Sequence, residues 1–137
     1  MKRSQLLIVL MLSVSLVALQ ACSTIASKKP EVVADAKDIV ASRAEARWKA
    51  LILGNLDHAY AFISPATRKV MPLDAYKKRV KLGMWRDVKI ESVACTDDVC
   101  SASVLLKYDI RDIKDVEKVV EESWIKEDGE WWFVQKK

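Results

Sequence analysis

The chain has 137 residues, is 51% hydrophobic and 31% charged, and carries a formal charge of +4. That length suits one small domain, and the charge is too small to argue for a nucleic-acid surface. One histidine and three cysteines make no convincing zinc set, so no metal or other cofactor is expected.

The first segment reads as an export signal. Lys2 and Arg3 form a positive start, and Leu6 to Leu19 is apolar except for Ser13 and Ser15. An apolar core of about 14 residues is short for a membrane-spanning helix, which needs about 20. A short anchor or a plain secretory signal would leave Cys22 unexplained. The run Leu19, Gln20, Ala21, Cys22 resembles the lipobox of bacterial lipoproteins. The resemblance implies removal of residues 1–21 and lipidation of Cys22 with acyl chains such as palmitate. It also implies a Gram-negative envelope. Ser23 stands where an aspartate would favour retention in the inner membrane, so a periplasm-facing, outer-membrane anchor is expected. Each buried methylene contributes about 0.8 kcal/mol, so several acyl chains hold durably.

Residues 22–31 then form the lipidated cysteine and its tether. Ser23, Thr24, Ser27, Lys28, Lys29 and Pro30 give polar composition without apolar period. Such a segment extends to about 30 Å. It would keep the domain, residues 32–137, close to the membrane surface. After loss of Lys2 and Arg3 the net charge falls to +2.

From Val32 the chain becomes periodic. Val33, Ala36, Val40, Ala44, Trp48 and Leu51 form one apolar stripe of a long helix. Gly54 supplies a left-handed stop, and Asn55 can cap the next helix. Leu56, Ala59, Tyr60 and Ile63 form the apolar face of that second helix. Ser64 and Pro65 start a third, over Ala66 to Met71, which Pro72 ends. Leu73, Tyr76 and Val80 mark a fourth helical face, closed by Gly83. Arg68, Lys69, Lys77, Lys78, Arg79, Lys81 and Arg86 gather along this part of the chain. Such a charge run is a solvated face or a patch for phosphate headgroups or an acidic partner.

After Gly83 branched and aromatic residues replace the helical period. Trp85 to Cys95, Val99 to Ile110, Val116 to Ile125 and Trp131 to Val134 read as four antiparallel strands. Asp128 and Gly129 form a favoured two-residue hairpin turn. That turn pairs Glu127 with Glu130, Lys126 with Trp131, Ile125 with Trp132, and Trp124 with Phe133. Trp124, Trp131 and Phe133 then share one face, and Ile125, Trp132 and Val134 the other. One face can pack on the helices. The other calls for a different cover: an envelope protein partner, a second copy of the chain, a ligand or the membrane.

Cys95 and Cys100 flank a short loop. In an exported chain this even pair reads as a structural disulfide, adding at most about 2 kcal/mol. Free thiols or a redox pair are the alternatives, but the spacing is not C-x-x-C and no basic residue flanks it.

Helices followed by antiparallel strands and a tryptophan-rich hairpin resemble the NTF2-like (cystatin-like cone) superfamily. The resemblance spans about residues 35–135. It rests on Ala46 to Leu51 followed by Gly54, on Ala59-Tyr60, on Ser64-Pro65 and on Glu127 to Trp132. It implies an α+β fold, a long helix and short helices on a curved four-stranded antiparallel sheet enclosing a conical pocket. Tyr60, Tyr76, Tyr108 and Trp124 are candidate pocket residues. Some members of the superfamily are isomerases, dehydratases or cyclases, with Asp, His or Tyr inside the cone. None of those motifs maps here, and His58 reads as a capping or surface residue.

Two functions compete. The first is a non-catalytic lipoprotein that binds a partner protein or a small apolar ligand. The second is an isomerase or dehydratase, which requires a carboxylate within about 3 Å of a tyrosine hydroxyl.

Overall fold

The computed structural model describes residues 35–135. The export segment, Cys22, the tether and Val33 lie outside the described residues. The described chain runs α1 (Ala36–Ile52), α2 (Leu56–Ala61), α3 (Pro65–Val70), α4 (Leu73–Arg79), β1 (Trp85–Thr96), β2 (Val99–Ile110), β3 (Ile113–Glu127) and β4 (Glu130–Val134). The four strands form one antiparallel sheet in the order β1-β2-β3-β4. The α+β architecture is the one the sequence predicts.

Local signals explain the helix ends. The side chain of Asp35 accepts from the Lys37 amide at the start of α1. At its end, the Asn55 amide donates to the Ala50 carbonyl and the Gly54 amide to that of Leu51. This paired closure requires a left-handed residue, and Gly54 has φ +74°. Asn55 then caps α2 through the His58 amide, and Ser64 caps α3 through the Thr67 amide. Pro65 occupies the first turn of α3, where no amide hydrogen is needed. The fourth helix ends at Arg79, before Gly83, because Val80 turns extended. Gly83 (φ +81°) instead helps turn the chain into β1.

The strand turns follow the same logic. Asp128 and Gly129 both have positive φ, and the β3–β4 register contains the four pairs expected from the sequence and a fifth, Ser123 with Val134. Thr96 pairs with Val99, which closes the first hairpin to the two residues Asp97 and Asp98. Cys95 pairs with Cys100 just inside that turn and the two form a disulfide, with Cα atoms 4.0 Å apart. Register shifts interrupt β1 after Trp85 and Ile90, and β2 after Tyr108. Such irregularities bend strands and increase their twist.

The core lies between α1 and the inner sheet face. Val40, Ala44, Trp48 and Leu51 of α1 meet Ala102, Val104, Leu106, Trp124, Trp131 and Phe133 of the strands. A short parallel bridge between Ile63 and Phe133 covers the free edge of β4. Phe133 donates to the Phe62 carbonyl and accepts from Ser64. Trp132, on the outer face, is half-buried under cover from its own chain. The Arg43 and Arg68 guanidinium groups lie 5.4 and 5.1 Å from its ring.

Candidate functional site

Among the described residues, the inner sheet face carries one buried charged residue amid apolar neighbours. Glu122 lies two positions before Trp124 on β3, so both side chains point inward. Glu122 is 4% exposed, and its partner Arg47 on α1 is 7% exposed. Arg47 Nη1 donates to Glu122 Oε1 at 2.6 Å, and Trp48 Nε1 donates to the same oxygen at 2.7 Å. Trp124 Nε1 donates to Oε2 at 3.2 Å. The guanidinium also lies over the Phe133 ring, 3.7 Å from its centroid. The carboxylate is therefore held by one cation and two indoles, a buried charge satisfied on both oxygens.

Above this cluster is a cavity of about 320 Å³. Its walls come from α1 (Arg47, Trp48, Leu51), from α4 and the loop after it (Tyr76, Arg79, Val80, Lys81, Met84), and from Trp85, Phe133 and Gln135. Trp48 and Trp85 meet edge to face, with ring centroids 5.2 Å apart. A second cavity of about 200 Å³ lies beside Glu122, between Arg47, Trp48 and the inner residues of β3 and β4. Pockets that take small molecules typically begin at about 300 Å³, so the larger cavity is the candidate site.

The polar atoms in this wall are unevenly satisfied. Tyr76 Oη, Arg47 Nε and Gln135 Oε1 are buried without a hydrogen-bond partner among the described residues. Burial pushes the Tyr76 hydroxyl above its ordinary pKa; the Arg47 charge opposes this and the Glu122 charge adds to it. At neutral pH the hydroxyl stays protonated and can donate.

The four aromatic residues singled out in the sequence take different places. Tyr76 lines the larger cavity. Tyr60 packs behind it, ring centroids 5.4 Å apart, and its hydroxyl donates to the Met71 carbonyl at 2.9 Å. Tyr108 packs edge-on behind Trp85. Trp124 is fully buried, at the bottom of the Glu122 cluster. His58 is exposed on α2 and packs on Phe62. Among the described residues there is no cluster of three potential metal ligands, and no helix is long and apolar enough to cross a membrane.

Sequence reading missed Arg47 and Glu122. Two signals were present. Arg47 follows Ala44 by three positions and falls on the apolar stripe of α1. Glu122 shares alternation with Trp124 and so occupies an inward position of β3. A charge in each of two apolar faces that must meet is the signature of a buried pair.

Solved structures share this architecture. A protein of Campylobacter jejuni bearing the name NTF2-like transpeptidase superposes with a TM-score of 0.55 at 18% identity, over 69% of this chain and 96% of that one. The fold is NTF2-like. A SEC-C motif containing protein from Psychrobacter arcticus gives 0.60 at 12% identity, over 72% of this chain and 60% of the other. Another SEC-C motif containing protein, from Rhodopseudomonas palustris, gives 0.52 at 13% identity, over 69% and 73%. No family model matches the sequence, and no curated protein matches it. At these identities the likeness concerns the NTF2-like backbone alone.

Proposed function

We propose that this chain is a lipid-anchored, periplasm-facing lipoprotein whose NTF2-like domain binds a small ligand without catalysing its conversion. The observation that carries the reading is the 320 Å³ cavity, in which an apolar surface of Trp48, Trp85, Leu51, Val80 and Met84 stands beside the polar side chains of Arg47, Tyr76, Arg79, Lys81 and Gln135. Sites of this kind combine an apolar lining with a small number of placed polar atoms.

The geometry speaks for binding over catalysis. No carboxylate belongs to the wall of the larger cavity, and Tyr76 Oη has none at hydrogen-bond distance among the described residues. Glu122 lines the smaller cavity, but three donors already occupy its oxygens. The cavity is also favoured over the outer sheet face as the binding surface. Trp132, the largest side chain of that face, is covered by Arg43 and Arg68, and what stays exposed there is small, such as Val99 and Val119.

The test is titration of the full chain in detergent with N-phenyl-1-naphthylamine, a neutral probe that brightens in apolar sites, with detergent-only signal subtracted. Saturable binding is expected, and Val80→Trp, which fills the cavity, should abolish it. Saturable binding that survives Val80→Trp would place the probe elsewhere and defeat the reading.

A further inference from the structure

We propose that the ligand of this cavity is an organic anion, a small carboxylate with an aromatic or aliphatic body. The inference rests on the binding reading above and names the chemical class that the site selects. Every charged residue of the wall is a cation: Arg47, Arg79 and Lys81, with no aspartate or glutamate among the lining residues. Arg47 is neutralised by Glu122. Arg79 and Lys81 are different. Both are exposed, and neither forms an ion pair among the described residues. Arg79 has only a long contact of 3.9 Å to the Met71 sulfur. Two uncompensated cations beside an opening with low-dielectric walls focus a positive potential there.

A second observation points the same way. Four buried side-chain polar atoms lack partners among the described residues, and three belong to residues of this one wall. Two of the three, Tyr76 Oη and Arg47 Nε, bear hydrogens to donate, and Tyr76 is 2% exposed. Buried donors left unpaired are costly, and a ligand acceptor that displaces a neighbouring side chain of the wall to reach them would relieve that cost. A carboxylate offers two acceptor oxygens and matches the cations at the rim. The third atom, Gln135 Oε1, is an acceptor and can receive a hydroxyl or amide hydrogen from the ligand body. Trp48, Trp85 and Met84 supply the surface on which that body packs. Glu122 acts indirectly. By holding Arg47 against Phe133 it fixes one wall and leaves Nε as the donor still unused.

The test compares two ligands of nearly equal shape, 2-naphthoate and its uncharged amide 2-naphthamide. Each is titrated calorimetrically into the full chain in detergent, with detergent blanks. Charge-assisted contacts predict that naphthoate binds about tenfold more tightly or better. The double variant Arg79→Gln with Lys81→Gln, both at exposed positions, should erase that preference, read as the ratio of the two affinities in the same protein. Tyr76→Phe should lower naphthoate affinity several-fold, with circular dichroism confirming that the variant folds. Equal affinity for the two ligands would overturn the anion preference and leave the binding reading intact. Failure of both ligands, together with failure of the neutral naphthylamine probe, would overturn both. A naphthoate preference that persists in the double variant would also defeat the assignment of the rim cations.

Discussion

At the residue scale the most consequential feature is an ion pair buried between helix and sheet. Arg47 and Glu122 are 75 positions apart in sequence and 2.6 Å apart in space. Such a pair is weak evidence for stability taken as a unit, because desolvation offsets its attraction, yet removing one partner strands a buried charge and costs about 3–5 kcal/mol. The two partners are not equivalent. Without Arg47 the carboxylate keeps two indole donors; without Glu122 the guanidinium loses its counter-charge and two buried indoles lose their acceptor. Urea unfolding should therefore show Arg47→Met losing about 3 kcal/mol and Glu122→Leu at least about 5. The reverse ranking would mean that the indole bonds contribute little.

At the element scale, Asp109 ties the distal end of the β2–β3 hairpin together. Its carboxylate accepts from Arg86 Nε at 2.7 Å, Lys114 Nζ at 3.3 Å and the Asp115 amide at 3.2 Å. Its own amide donates to the Met84 carbonyl. Chiefly through the Arg86 bond, its pKa is held down to about 2. The unfolded chain has the ordinary aspartate value of about 3.9. Because the folded state binds the proton more weakly, the stabilisation is complete above about pH 4 and fades as pH falls toward 2. Asp109→Asn should flatten this part of the acid unfolding curve and leave the slope above pH 5 unchanged. An Asp109→Asn curve parallel to the parent through pH 4 to 2 would assign the acid sensitivity to other carboxylates. Much at this scale is legible in the chain itself. The Gly54 stop, the Asn55 and Ser64 caps and the Asp128-Gly129 register each depend on residues within a few positions, where local backbone chemistry decides. The fourth helix is the exception. Nothing local forces its early end, and Val80 turns extended where it meets the cavity.

For the whole molecule, the lipobox-like segment and the domain make separate predictions. Cys22 lies outside the described residues, and its lipidation is a reading of sequence. Replacing Cys22→Ser should move the chain from the membrane fraction to the soluble or signal-retained fraction and abolish incorporation of labelled palmitate. Unchanged palmitate labelling would exclude Cys22 as the attachment point. The ligand titrations should be indifferent to this change, because the cavity walls begin at Arg47.

The sequence by itself determined the order of helices and strands, the Asn55 and Ser64 caps, the Asp128-Gly129 turn and the cysteine pairing. All of these follow from periodicity, backbone preference or closeness along the chain. The third strand, by contrast, begins at Ile113, three residues before the expected Val116, after a two-residue turn at Arg111 and Asp112. Only the tertiary structure decided that Arg47 would meet Glu122, that Tyr60 would spend its hydroxyl on Met71 while that of Tyr76 stayed unpaired, and that Arg79 and Lys81 would stand at one opening. The reason is physical. A charge or hydroxyl on an apolar face states only that it needs a partner; which partner it receives depends on how α1 and the loop after α4 are placed against the strands.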